Sequence, residues 1–508
     1  MSTISTTSQS GLTAWQKVLW AAFLVALPVT SFPFFPQAMG GEALVRPLSL
    51  YPLILLLPLV TLPGLFRKSL PRTLLAFVPF VALALVSSLV SLTQGIEPAL
   101  GISVDSRVFR AVITLGIGIA FYLTAVLLPR SSEDLRFTLR WLYIGFAIAM
   151  LWGTLQAVYV VNFSPQYFNQ IQHFQDFISV RKLIRNRISG MTYEPNWFAE
   201  QITFLLLPFL LSSVLSGYSA FRWRWRFLRL EWFLFAWAIA LLPFTFSRAG
   251  VLNLVVLVFV GVLFLRLPGK AKVAQKPPAS HRFLRPVIEA MILMAAIAGI
   301  MYYAGTKNEF FTRLWSYWEH KNATLSGYFD YLGFGARFTY SGTAFRMYEA
   351  YPLLGVGLGN YAFYFEQMLP EEPLADTPEV LRLVTPGAGR DRLVTSKNFY
   401  LRLLSETGIL GTAAFFAFLI AVLGNLLYLR LATGLGVRFW GTAGLLGLIA
   451  FLLAAVSFDS FAIPNMWVVF GLATAASWIY GQETQAENQF VPAAAHNIPQ
   501  DDVSIALK

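Results

Sequence analysis

Tyr351-Pro-Leu-Leu-Gly-Val-Gly-Leu-Gly-Asn-Tyr361 lies in the longest part of the chain that cannot sit in a membrane, residues 305–398. Apolar spans close that part on both sides. It also holds Arg337 and a basic end, Arg382, Arg390, Arg392 and Lys397. An ordered loop of this length between two spans is seldom filler. The expectation is that it caps a cationic site on the outer face of a membrane.

The flanking sequence supplies the membrane. Of 508 residues, 56% are hydrophobic and 13% charged, with a mean hydropathy of +0.61, whereas soluble globules are about 25% charged. Stretches able to cross ~30 Å of hydrocarbon as helices recur near residues 18–35, 48–66, 73–93, 109–128, 138–161, 196–217, 230–247, 249–266, 286–304, 408–429, 439–457 and 461–480. Pro and Gly inside several of them are tolerated in membrane helices. The expected fold class is an all-α polytopic membrane protein of about twelve transmembrane helices, with one large, partly helical outer loop between the ninth and tenth. Residues 1–17 are an N-terminal tail, 18–304 the first nine helices, 305–398 the loop, 399–480 the last three helices and 481–508 a disordered tail.

Lys and Arg in the short loops set the orientation. With the N-terminus inside, the inner loops carry Arg67, Lys68 and Arg72, then Arg130, Arg136 and Arg140, then Arg222, Arg224, Arg226 and Arg229. Further inner loops carry Arg266, Lys270, Lys272, Lys276, Arg282 and Arg285, then Arg430 and Arg438. The short outer loops hold only Arg46, Arg107, Arg110 and Arg248. Both tails then lie in the cytoplasm. The net charge of +12 reads as this anchoring charge, so membrane lipids are expected partners and nucleic acid is not. There is no cysteine, which excludes disulfides and thiolate chemistry. His173, His281, His320 and His496 lack metal-ligand spacing, so neither a metal site nor a cofactor is expected. No cleavable signal peptide is expected either. No internal repeat of the kind that builds many transporters is visible.

Several stretches could carry chemistry. Segment 162–195 is an outer segment with bunched cations, Arg181, Lys182, Arg185 and Arg187. On a helix Arg181 and Arg185 share one face, as a headgroup-binding amphipathic helix or as a groove for phosphates. Arg187-Ile-Ser-Gly-Met-Thr-Tyr-Glu-Pro-Asn196 then enters a span. Glu194-Pro-Asn196 can be a plain helix start, while Glu200, inside the span, is costly unless paired or wet. Ser247-Arg-Ala-Gly250 is a short outer hairpin in which Arg248 is either a snorkelling anchor or a ligand contact among small neighbours. Gly355, Gly357 and Gly359 permit tight turns and close backbone approach; no strand-turn-helix frames them as a nucleotide fingerprint. Ser396-Lys-Asn-Phe-Tyr-Leu-Arg402 brings Lys397 and Arg402 to an outer mouth.

Taken in order, these stretches resemble the O-antigen ligase and O-antigen polymerase superfamily over roughly residues 185–430. The resemblance rests on Arg187 with Gly190 through Asn196, on Ser247-Arg248-Ala249, on Arg337 ahead of Pro352-Leu-Leu-Gly-Val-Gly357, and on Asn398, Leu401, Glu406, Gly408 and Gly411. The family's His before that Asn is Lys397 here. Lysine, with a usual pKa near ~10.4, carries charge to a phosphate but is a poor base at neutral pH. The departure tilts the expectation from ligation onto a lipid A core toward a polymerase-type reaction.

The resemblance implies a bacterial inner-membrane glycosyltransferase with a periplasmic loop. Its donor is a glycan on a polyprenyl-pyrophosphate carrier, its acceptor a hydroxyl of another glycan or lipid, and other polysaccharide-export components are expected partners. Guanidinium forks match phosphate oxygens and keep their charge, so they can stabilise the leaving pyrophosphate without a metal. Glu194, Arg248 and Lys397 are the expected catalytic residues, and Arg187, Arg337, Arg185, Asn196 and Arg402 the expected substrate-binding ones; Glu200 and Glu406 rival Glu194. The competing class is a polysaccharide or lipid transporter or flippase, whose sign would be ionisable groups in several spans; Glu200, Glu289 and Asp459 are few. A third class is an assembly subunit docking through Trp315, Tyr317, Trp318, Tyr328, Phe329 and Tyr331, although an interfacial aromatic belt explains such residues more simply.

Overall fold

The computed structural model describes residues 11–35, 45–66, 69–221, 223–225, 228–264, 316–319, 323–369, 378–385 and 393–490, with isolated positions at 295, 299, 302 and 312. Arg67, Lys68, Arg222, Arg226, the inner loop 266–285, most of the expected span 286–304, Trp315, Arg390, Arg392 and the chain ends at 1–10 and 491–508 lie outside the described residues.

Helix follows helix. The first group is α1 (Ala14–Ala26), α2 (Leu50–Leu65), α3 (Arg72–Ser91), α4 (Val104–Leu127), α5 (Ser132–Val161) and α6 (Pro165–Gln175). Next come α7 (Pro195–Ser216), α8 (Leu230–Thr245) and α9 (Arg248–Phe264), with a two-stranded turn, Arg224–Trp225 against Leu228–Arg229, before α8. Then follow α10 (Leu325–Tyr331), α11 (Gly335–Ala350), α12 (Tyr361–Tyr364) and α13 (Pro378–Val384). The chain closes with α14 (Phe399–Leu431), α15 (Leu435–Ala454) and α16 (Pro464–Phe490). Six of them, α3, α4, α5, α7, α14 and α15, are long and apolar enough to cross a membrane. Four more apolar helices, α1, α2, α8 and α9, are shorter.

Local chemistry sets the ends. Ser131 accepts the Asp134 N–H at the head of α5, with Glu133 and Asp134 in the first turn, the charge a helix N-terminus favours. Asn398 accepts from Tyr400 and Leu401 at the head of α14. In α7 the stretch Gln201–Leu206 widens to a π-helix ahead of Pro208, which has no N–H to give. The spans interlock through rings, with Phe77 to Phe418 at 4.9 Å and Phe80 to Phe415 at 5.0 Å between centroids. Gly145 lets α5 approach α1 so closely that a Cβ there would meet Val25 Cα at 2.8 Å.

The bundle has two distinct ends. At one, Asp134 accepts from Leu12 and Arg130, Arg140 donates to the Ala220 carbonyl and Arg136 lies over the Tyr218 ring. At the other, Val180 donates to the Ser31 carbonyl and Tyr193 to Thr30, and a second apolar core forms around Ala336, Tyr340, Met347, Val356, Tyr361 and Val380 against Val104 and Val108.

The two ends of the Tyr351–Tyr361 stretch are fixed by a break in α14. Gly408, at φ 62 and ψ −168, interrupts that helix. The freed groups are taken up by the glycine run. Ile409 and Leu410 donate to the Pro352 and Leu353 carbonyls at 2.8 and 3.3 Å, while Val356 and Gly357 donate to the Ser405 and Glu406 carbonyls at 2.9 and 3.0 Å. Ser87 of α3 donates to the carbonyls of both Leu354 and Glu406. The glycines therefore serve close backbone contact: a Cβ at Gly355 would sit 2.5 Å from the Ser405 carbonyl oxygen. This junction ties α11, which carries Arg337, to the helix that begins just after Lys397.

Candidate active site

Segment 176–194 is not a helix, so the expectation that Arg181 and Arg185 share a helical face fails. Its backbone donors are claimed from elsewhere. Leu183 donates to the Gln172 side chain, and Ser189 and Gly190 to the Gln156 side chain on α5. Gly190, at φ 55, makes the turn. The result separates the two cations. Arg181 pairs with Glu194 and lies over the Tyr193 ring. Arg185 lies over the Phe163 ring, 4.0 Å from its centroid, and among the described residues no contact joins it to Arg187.

Arg187 is drawn onto the turn before α9. Ile188 donates to the Phe244 carbonyl, and Arg187 Nε donates to the Thr245 carbonyl at 2.9 Å. Its Nη2 donates to Asn196 Oδ1 at 2.8 Å and to the Phe246 carbonyl at 3.5 Å. Phe246 itself is left-handed, at φ 48, a conformation that costs about 1–3 kcal/mol and persists where surroundings enforce it. Burial pushes the Arg187 guanidinium down to about 10; the neighbouring Arg181 and Arg248 charges add to that, against the opposing pull of Glu194. Arg187 and Arg248 therefore belong to one electropositive group. Arg248 Nη1 donates to the Leu332 carbonyl, just ahead of α11, at 3.2 Å. The small residues after Arg248 serve packing rather than ligand access, because Gly250 faces Ala199 of α7, where a Cβ would meet Ala199 Cβ at 2.7 Å.

Arg337 bridges this group to a second one. It sits in the first turn of α11, half-buried, and among the described residues it makes no hydrogen bond or ion pair. Its charge acts on Glu200, which is buried and accepts from Ser457 at 3.3 Å, and also on Glu379. Glu379 accepts from Lys397 Nζ at 2.9 Å and from the Tyr340 hydroxyl at 2.8 Å, both on Oε1. Burial raises the Glu379 carboxyl, but Lys397 and Tyr340 outweigh it and hold the group below the usual carboxylate range. Lys397 is itself left-handed, at φ 51, with its N–H on Asp459 Oδ2 at 2.8 Å.

Arg402 goes elsewhere. Its Nε meets Glu406 Oε2 at 2.9 Å in a pair whose side chains are 9% and 3% exposed, and it also donates to the Asp459 carbonyl. Arg402 and Arg185 are thus not brought to the group formed by Arg187, Arg248, Arg337 and Glu194, and Lys397 joins it only through Glu379 and Arg337. Sequence reasoning missed Glu379 and Tyr340 as site residues. Tyr340 carried a signal, since it stands three positions after Arg337 and shares its helical face; Glu379 carried none. Among the described residues no three His, Cys, Asp or Glu side chains gather as a metal-binding group.

The fold and site together define a multi-pass membrane protein with an arginine-rich, carboxylate-flanked site at one end of its helix bundle. Residues 233–416 match the family model described as O-antigen ligase, which supports the resemblance to the O-antigen ligase and polymerase superfamily. The matched segment contains Arg248, Arg337, Glu379, Lys397, Arg402 and Glu406, while Arg187, Glu194 and Asn196 precede it. No curated protein matches the chain.

Proposed function

We propose that the protein transfers a glycan from a polyprenyl-pyrophosphate carrier to a hydroxyl acceptor at the periplasmic face of the bacterial inner membrane. About twelve helices then span the bilayer, with both tails cytoplasmic. The grouping of Arg136 and Arg140 with the Tyr218–Ala220 turn, at the end away from Arg187, supports that orientation.

One observation carries the reading: Arg187 is fixed by three neutral oxygens while two further guanidinium charges act on it. Such a group invites a polyanion. Arg187, Arg248 and Arg337 hold the pyrophosphate, and each well-placed donor lowers the barrier by about 3 kcal/mol as charge builds on the leaving group. Glu194, paired to Arg181, keeps these cations in place and lies on the leaving group's side. Lys397 adds positive charge at the acceptor side. Asn196 orients Arg187.

Polymerase-type transfer is the form favoured by Lys397 in place of an imidazole. The ligase reaction onto a lipid A core is the second reading, favoured by the description of the matched family. The test is a gel of surface polysaccharide from a deletion strain complemented with wild type or Arg248→Ala. At equal protein level Arg248→Ala should cut polymer about 10²–10³-fold; normal output would remove Arg248 from the mechanism. A single repeat unit on the acceptor marks a lost polymerase, and long polymer left on its carrier a lost ligase. Unchanged glycan with a transport defect would replace the enzyme reading by the transporter one.

A further inference from the structure

Glycosyl transfer needs a place for the acceptor's proton, and the pyrophosphate-holding arginines do not provide it. In a direct displacement the acceptor approaches the anomeric carbon from the side opposite the leaving group. Glu194 is committed to its ion pair with Arg181. Glu200 is buried inside α7 on Ser457. Glu406 is closed in by Arg402, and Asp459 is committed to the Lys397 N–H.

Glu379 differs from all four. Its Oε1 takes both Lys397 Nζ and the Tyr340 hydroxyl, and among the described residues Oε2 carries no hydrogen bond. The side chain is 56% exposed. Lys397 lies over the Tyr340 ring, 5.1 Å from its centroid, so the two partners that clamp the carboxylate also pack on each other. Arg337 and Tyr340 rise from the same face of α11, and the Arg337 charge reaches both Glu200 and Glu379. Asp459 fixes the Lys397 backbone in its left-handed turn, which sets the ammonium from behind.

We infer that Glu379 is the catalytic base of the transfer, its free Oε2 accepting the proton of the acceptor hydroxyl while Lys397 and Tyr340 hold Oε1. The step balances. The acceptor oxygen forms a bond to the anomeric carbon, the bond from that carbon to the pyrophosphate oxygen breaks with its electron pair leaving on the phosphate, and the proton passes to Glu379. Water later removes it. The neighbouring cations keep Glu379 ionised at neutral pH, ready to accept. The inference rests on the transferase reading above.

The test uses the full chain in proteoliposomes with the host's own extracted polyprenyl-pyrophosphate-linked glycan and acceptor. Glu379→Gln keeps size and can still accept from Lys397 and Tyr340. It should lower kcat about 10²–10⁴-fold, the range of general-base catalysis, with KM for the donor, the affinity for polyprenyl pyrophosphate and Tm near wild type. Glu379→Asp should retain more turnover than Glu379→Gln. Glu379→Gln with kcat within about twofold of wild type would overturn the inference alone. So would a loss of turnover matched by loss of donor affinity and Tm, which marks a structural residue. Wild type that binds no polyprenyl pyrophosphate and transfers nothing removes the transferase reading and this inference with it.

Discussion

Replacing Gly408 by alanine attacks the junction that holds the site. The residue lies at φ 62 and ψ −168, a region essentially restricted to glycine and costing a side-chain-bearing residue about 1–3 kcal/mol. Its new Cβ would stand 2.6 Å from Leu354 N and closer still to the Leu353 carbonyl. Those are backbone atoms, so relief requires the glycine run to back away. Doing so stretches the hydrogen bonds between residues 352–357 and residues 405–410. If two are lost, at about 1 kcal/mol each, the total with strain is about 4 kcal/mol, large for one methyl group. The competing outcome, closure of α14 into a continuous helix, is helped by alanine's advantage of about 1 kcal/mol over glycine, but it expels the run and unseats α11. Either route displaces Arg337 relative to Lys397. The assay is thermal unfolding and limited proteolysis of detergent-purified protein beside polymer output in cells. Gly424→Ala is the control, on the same helix with nothing within 4 Å of its Cβ, and should be neutral or slightly stabilising. A Gly408→Ala protein as stable and productive as Gly424→Ala would refute the reasoning.

Further outcomes follow from the charged groups. Burial and the neighbouring arginines lower the folded Arg187 guanidinium to about 10, below an ordinary arginine. Polyprenyl pyrophosphate affinity should therefore fall as pH rises through about 10, and the fall beyond that seen in Arg187→Gln, measured side by side, is the part due to Arg187. Because its folded value is depressed, the unfolded chain binds the extra proton between about 10 and the ordinary 12.5, so this residue's contribution to stability rises with pH across that window. Glu406→Gln strands Arg402 in a pair that is almost wholly buried. A loss of roughly 3–5 kcal/mol is expected, read as lower Tm and expression rather than as a selective loss of donor affinity; Arg402→Met with Glu406→Leu should be less damaging than either change alone.

Hydropathy made the helical membrane class legible, because hydrocarbon leaves the backbone few options. Helices occupy most of the described part of the expected spans, but in 18–35 the helix ends at Ala26, and six of the described helices are long and apolar enough to cross a membrane. The site was legible in part. Arg187, Arg248 and Arg337 stood out as cations in outer segments; the charge of Arg248 acts on Arg187, while Arg337 acts on Glu200 and Glu379. Glu379 could not be found, since its meeting with Lys397 depends on a loop fold with no periodicity. The helical reading of Arg181 and Arg185 failed for a related reason. An i, i+4 spacing describes a face only if the backbone bonds to itself, and here Gln156 and Gln172 claim those N–H groups. The glycine run was read correctly as permitting close approach, but its partner, the break at Gly408, lies far along the chain and carries no local sign of φ 62.

The arginines of the site and those of the scaffold are held in different ways. Arg402 meets a carboxylate, Glu406, so its charge is spent within the protein and the pair serves packing. Arg187 is held by the Thr245 and Phe246 carbonyls and the Asn196 amide, with the Glu194 carboxylate acting on it, so backbone and amide groups fix its position. Arg248 donates to the Leu332 carbonyl. Burial and like charges pull the Arg187 guanidinium down, and a diphosphate would offset that electrostatic penalty. The strain at Phe246, which presents the Thr245 and Phe246 carbonyls to Arg187, is then part of the same design. Relaxing that turn should loosen Arg187 and weaken polyprenyl pyrophosphate binding while leaving the buried Arg402–Glu406 pair intact.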